Sequence, residues 1–121
     1  MKMKSYFVFG LLAIMLLSSC NSTSLREITA SLPDMEGKYD GVYRGSYDLS
    51  GTPVKVIVDV TVQNQNIASV DIVRHFCSPI GKKAEKITER IIEQQSLDVD
   101  VVSGATGSSI AIMKAIENAL R

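Results

Sequence analysis

Between Val54 and Gln63, valine returns at every second position: Val54, Val56, Val58, Val60 and Val62 alternate with Lys55, Ile57, Asp59, Thr61 and Gln63. Successive side chains of a β-strand point to opposite faces, so this run is a strand with one buried and one solvated face. A helix, with 3.6 residues per turn, cannot gather every second residue on one side. A half-buried strand needs neighbours and a covering layer. On one side, Ser50-Gly51-Thr52-Pro53 predicts a turn. Before it, Tyr39, Gly41, Tyr43, Gly45 and Tyr47 alternate as a first strand, whose glycines imply a bulge or close approach by another element. On the other side, Asn64-Gln65-Asn66 predicts a hairpin turn, because asparagine tolerates left-handed dihedrals. A third strand then runs from Ile67 to Phe76, with Val70, Ile72 and Phe76 expected on one face.

The covering layer follows in sequence. Ser78-Pro79 reads as an N-cap with proline in the first helical position. A helix is predicted from there to about Gln95, with an apolar stripe of Ile80, Ala84, Ile87 and Ile91. Asp98–Val102 predicts a short strand. A last helix is predicted from about Ser108 to Leu120, where Ile110, Ile112, Met113, Ile116 and Leu120 leave little polar surface. The fold expected is α+β: a small antiparallel sheet packed against two helices. A chain of 121 residues holds one such domain. Its 13 basic and 13 acidic side chains balance, which gives no reason to expect nucleic-acid binding. One histidine excludes multi-histidine metal sites within one chain, and two cysteines exclude a disulfide framework.

Residues 1–19 are of a different kind. Lys2 and Lys4 precede an apolar run from Tyr6 to Leu17, followed by Ser18-Ser19. These are the three regions of a secretory signal, and the run is shorter than the roughly 20 residues that span a bilayer as a helix. Leu17-Ser18-Ser19-Cys20 resembles the lipobox of bacterial lipoproteins. That resemblance implies cleavage before Cys20 and attachment of diacylglycerol to its sulfur; two acyl chains anchor stably where one is marginal. The alternative is an ordinary cleaved signal. Residues 20–37, rich in serine and broken by Pro33 and Gly37, are expected to be a lipidated tether, with the domain proper at 38–121. Acylation of Cys20 would leave Cys77 as the only free thiol.

The segment with chemical character lies between the two helices. Ser103-Gly104-Ala105-Thr106-Gly107-Ser108-Ser109 joins an extended run to the last helix. Small residues in such a turn expose backbone N–H groups, and a helix N-terminus adds partial positive charge and unpaired donors. Together these suit a phosphate. The segment lacks the lysine of a P-loop and the three glycines of a dinucleotide fingerprint. By its residues alone, it is also a small-residue turn with a serine cap.

The run Asp100-Val101-Val102-Ser103-Gly104-Ala105-Thr106-Gly107-Ser108-Ser109 resembles the flavinylation motif of the FMN-binding domain family, which includes flavin subunits of the sodium-pumping quinone reductase and of related membrane electron-transfer complexes. Asp40-Gly41-Val42-Tyr43-Arg44-Gly45, the valine hairpin, His75 and Ala115-Ile116-Glu117-Asn118-Ala119-Leu120 also fit that family. The resemblance implies that Thr106 carries FMN through a phosphoester, installed from FAD by a separate flavin transferase with magnesium. Ser103, Gly104 and Ala105 would shape the loop. Asp100 would help the transferase recognise or activate the site, and Ser108 and Ser109 would hold the phosphate. The departure is Ser108, where a bulkier residue, often threonine, is usual.

Other residues carry weaker expectations. His75, at a strand end, is a surface or a hydrogen-bonded histidine, or a proton donor to flavin. Tyr43 and Tyr47 pack in the core or stack on the flavin ring. Cys77 is a small buried hydrophobe or meets a redox partner. The function expected is an extracytoplasmic flavoprotein, lipid-anchored through Cys20 in the cell envelope, that relays electrons between membrane and extracytoplasmic partners. One small domain suits a carrier better than a self-contained oxidoreductase. The alternative is a lipoprotein module that holds FMN non-covalently or performs no redox chemistry.

Overall fold

The computed structural model describes residues 30–121. The expected signal peptide 1–19, Cys20 and the start of the tether lie outside these residues. Three strands, β1 (Gly41–Asp48), β2 (Lys55–Gln63) and β3 (Asn66–Phe76), form one sheet in the order β1-β2-β3 with both pairs antiparallel. Val56, Val58, Val60 and Val62 are fully buried, while Ile57, Asp59 and Thr61 between them are partly exposed. The alternation thus sets which face of the sheet meets the core. On the outer face Arg44 opposes Asp59 and bonds both its carboxylate oxygens, at 2.7 and 2.8 Å. This hydrogen-bonded guanidinium holds Asp59 below the usual carboxylate range. The β2–β3 turn places both Asn64 and Gln65 in the left-handed region, at φ 50° and 62°.

Strand β3 departs from the expected alternation. Its pairing with β2 skips Ala68 and Val73, so its inward residues are Ile67, Val70, Ile72 and His75. Each skipped residue is a bulge, and each bulge moves everything beyond it to the other face. Phe76, expected inside, is therefore 62% exposed. His75, expected at the surface, opposes Val56 and has only 2% of its side chain exposed.

The first helix also differs. It begins as a 3-10 segment, Gly81–Lys86, and continues as α1, Ile87–Gln94. Its N-cap is Ile80, not the expected Ser78, although Ser78 Oγ accepts from the Gly81 N–H at 3.3 Å. In a 3-10 turn, residues three apart share a face. Accordingly Gly81, Ala84 and Ile87 are buried together, and Ile80, one residue off that period, is 57% exposed rather than part of the stripe. Gln95 closes α1 in the left-handed conformation, and its side-chain amide bonds both the N–H and the carbonyl of Ile67.

Asp98–Val102 is extended but forms no strand among the described residues. Side chains take its backbone groups instead: Arg90 donates to the Asp100 carbonyl, and the Val102 N–H donates to Ser109 Oγ. The last helix, α2, spans Thr106–Leu120, starting two residues earlier than its apolar pattern suggested. It lies across β1 and β2. At Gly45 the two meet backbone to backbone: a Cβ there would sit 2.1 Å from the Ala115 carbonyl oxygen and 2.4 Å from the Ala119 nitrogen. The close approach implied by the glycines of β1 is this helix. Tyr43 and Tyr47 pack partly buried against the core.

Residues 30–37, assigned to the tether by composition, lie against the domain. Ala30 is buried, Leu32 and Met35 pack on the core, and the Ser31 N–H donates to Glu117 Oε2 at 3.1 Å. Few apolar residues are enough here because Glu117 fixes the backbone between them.

Candidate functional site

The expected flavin loop emerges as an exposed turn at the head of α2. Ser103, Gly104 and Thr106 are exposed, and Ala105 is buried beneath them. Gly104 has φ +80°, a conformation that side chains other than glycine's rarely adopt. A backbone bond from Ala105 N–H to the Val102 carbonyl, 2.9 Å, closes the turn.

Helix α2 has no side-chain cap. Its N-cap is Ala105, which has no capping group, and the first intrahelical donor is the Ser109 N–H, bonded to the Ala105 carbonyl at 2.9 Å. The N–H groups of Thr106, Gly107 and Ser108 therefore precede the helical ladder, at the positive end of a 15-residue helix. The exposed Thr106 hydroxyl sits in the middle of this donor-rich turn. A cap such as serine or aspartate would have satisfied one of those donors internally. The arrangement suits a ligand that ends in phosphate.

The two serines act differently from the expectation. Ser109 is fully buried; its hydroxyl accepts from the Val102 N–H at 3.1 Å and donates to the Ala105 carbonyl at 2.8 Å. Both of its useful directions are spent holding the turn, so Ser109 shapes the loop and does not face a ligand. Ser108 is 5% exposed and turns toward Cys77 and Gly81. Asp100 is exposed near the loop, with only its backbone carbonyl engaged.

A second wall comes from residues that sequence reasoning did not assign to the site. A Cβ at Gly81 would lie 2.7 Å from Ser108 Oγ and 2.8 Å from Cys77 Cβ, so only glycine lets the 77–81 segment close on the head of α2. Burial pushes the Cys77 thiol up, and the Glu85 charge adds to this; nearby Lys82 and a hydrogen bond with Ser108 oppose them without reversing the shift. His75 Nδ1 lies 3.1 Å from Glu85 Oε1, and its buried Nε2 has no hydrogen-bond partner among the described residues. No group of three or more His, Cys, Asp or Glu side chains that could hold a metal ion occurs among the described residues.

The comparisons agree with this geometry. The profile of the FMN-binding domain matches residues 50–121, which take in β2, β3, both helices and the whole loop. A curated protein of Treponema pallidum (strain Nichols), described only as uncharacterized, is 39% identical over 84 residues. That match covers 68% of this chain and 23% of the relative, so the chain spans about a quarter of that protein's length. With the family profile laid over a phosphate-suited helix head and an exposed threonine, the chain belongs to the FMN-binding domain family, and FMN is its cofactor.

Proposed function

We propose that this protein is a lipid-anchored, extracytoplasmic electron carrier that holds FMN covalently through Thr106. The observation that carries the reading is the state of the α2 head: an exposed Thr106 hydroxyl among N–H donors left without a side-chain cap. In the attachment step, Thr106 Oγ1 forms a bond to the flavin-side phosphorus of FAD. The phosphoanhydride bond breaks, AMP leaves, and the hydroxyl proton is lost. A separate flavin transferase with magnesium supplies that chemistry, since a resting threonine hydroxyl is a weak nucleophile. Asp100, exposed and unpaired through its carboxylate among the described residues, is the recognition or activation handle for the transferase.

The Thr106, Gly107 and Ser108 N–H groups, with the helix dipole, would hold the flavin's phosphate. Gly104 leaves space beside it, and Ser109 keeps the turn in shape from below. The bound flavin supplies redox chemistry, while the protein supplies attachment and access. A covalent link suits a protein beyond the cytoplasm, where a dissociated cofactor would be lost. The small domain offers one flavin site and favours a relay between membrane and extracytoplasmic redox partners.

The test is coexpression of the exported protein with a flavin transferase, followed by denaturing electrophoresis and flavin fluorescence of the band. A fluorescent band that disappears in Thr106→Val supports the ester. No band, with the transferase active on another acceptor protein, overturns covalent carriage. Radioactive fatty acid incorporated at Cys20, and lost in Cys20→Ala, tests the anchor.

A further inference from the structure

Between Leu97 and Ala105, both buried, the chain crosses the surface from α1 to α2. Val102 is held to α2 by Ser109 and to Ala105 through its carbonyl. Upstream of Val102, among the described residues, a single hydrogen bond ties this backbone to another element: Arg90 Nη1 donates to the Asp100 carbonyl at 2.8 Å. Arg90 is a firm point to hold from. It is half-buried on α1, next to the fully buried Ile91 and one turn from the fully buried Ile87. The end of α1 is in turn tied to β3 by the Gln95 amide, which bonds both backbone groups of Ile67. The rigidity of the sheet thus reaches Asp100 through α1 and one guanidinium.

The acceptor that Arg90 uses is informative. A guanidinium binds a carboxylate most strongly, through two parallel hydrogen bonds. Arg44 does this with Asp59 on the sheet. Arg90 bonds the main chain of an aspartate instead. The side chains of Asp98 and Asp100 stay exposed and form no ion pair among the described residues. The peptide of Asp100 is fixed while its carboxylate is free.

We propose that Arg90 is a positioning residue for flavinylation: by holding the Asp100 carbonyl, it presents the free Asp100 carboxylate to a basic group on the flavin transferase. This rests on the reading of Thr106 as the attachment residue, and it takes recognition as the part Asp100 plays. A carboxylate on a loose segment must be ordered when a partner binds, and that ordering weakens binding. Arg90 orders the segment before the encounter. It therefore acts on capture of the protein by the transferase. Transfer of the FMN phosphoryl group depends instead on Thr106 and on the turn that Ser109 holds.

The test follows flavinylation of the full chain in detergent by a purified transferase with FAD and magnesium, over a range of acceptor-protein concentrations. Wild-type protein that takes up no flavin, from a transferase that loads another acceptor protein, overturns the covalent reading and this proposal with it. For protein that is loaded, Arg90→Ala should raise the KM for the protein several-fold and leave kcat within about twofold of wild type. Arg90→Lys keeps a donor for the carbonyl and should recover most of that loss. Asp100→Asn should raise KM in the same way, and adding Arg90→Ala to it should raise KM no further. A wild-type KM in Arg90→Ala, or a loss confined to kcat, overturns the positioning role while attachment at Thr106 stands. So does a further several-fold rise in KM when Arg90→Ala is added to Asp100→Asn, because a purely structural tie would act whether or not the carboxylate is present.

Discussion

The two ends of α2 treat the same physical problem in opposite ways. Every helix leaves backbone groups unpaired at both termini. At the C-terminal end the protein takes up one of them and adds side-chain ties. Lys38 donates to the Leu120 carbonyl, and the Arg121 N–H reaches the Glu117 carbonyl. Glu117, buried, gathers Lys114, Arg121 and the Ser31 N–H. At the N-terminal end the cap is alanine, three N–H groups precede the ladder, and the threonine there is exposed. The closed end is built for stability; the open end is where the proposed function puts the flavin phosphate. Substitutions at the closed end should therefore cost folding, and those at the open end should cost function.

The largest effect is expected where α2 presses on the sheet. Gly45→Val places atoms inside the Ala115 carbonyl and the Ala119 backbone, and neither can yield without moving the helix. A loss of about 3 kcal/mol or more is expected, read from urea unfolding, with failure to fold as the extreme. A Gly45→Val protein of wild-type stability would mean that the helix does not pack here.

Glu117→Gln comes next, at about 1–2 kcal/mol, because it weakens the charge-assisted bonds at a buried position. Burial alone would raise the Glu117 pKa, but hydrogen bonds from Lys114 and the Ser31 N–H, with the charges of Lys114 and Arg121, bring it below its ordinary 4.5. A lowered folded-state pKa means that the ionised form stabilises the fold. That contribution is complete above pH 4.5 and is lost as pH falls through the folded value. The stability gap between wild type and Glu117→Gln should therefore shrink below pH 4.5. Amide exchange in residues 30–37 should rise in the variant. A gap that does not change with pH would remove Glu117 from this role.

At the open end, Ser109→Ala removes the hydroxyl that joins Val102 to Ala105. About 1 kcal/mol is expected, together with a several-fold slower rate of flavinylation as the turn loosens. Unchanged flavinylation kinetics would show that the turn holds its shape without this bridge. The smallest effect on folding belongs to Thr106→Val. An exposed, near-isosteric change should stay within about 0.5 kcal/mol of wild type by urea unfolding, yet remove the attachment point entirely. That separation between stability and loading is the sharpest form of the contrast between the two ends.

What the sequence discloses follows the same division. Strong periodic signals were legible: the valines of β2, the Gly45 contact and the length of α2, because burial imposes a regular spacing. Local exceptions were not. The bulge at Val73 reversed the expected faces of His75 and Phe76, and no residue type there announces a bulge. The 3-10 start at Gly81 changed the period from four to three and expelled Ile80. At the site, the loop and the exposed Thr106 were readable from small residues at a helix head. The inward turn of Ser109 was not, since a hydroxyl in the first turn of a helix can face a ligand or bond its own backbone with equal chemical sense. Gly81 as the hinge of the second wall depended on a contact with Ser108, far away in sequence, which no local pattern records.

The most direct measurement is peptide mapping of the protein after coexpression with a flavin transferase. Trypsin releases residues 91–114 as one peptide holding Ser103, Thr106, Ser108 and Ser109. Fragmentation by mass spectrometry should place the FMN phosphoester on Thr106, at the open end of α2, and on no other hydroxyl. Flavin found on Ser103, Ser108 or Ser109, or an unmodified peptide from cells whose transferase loads another acceptor, would contradict it.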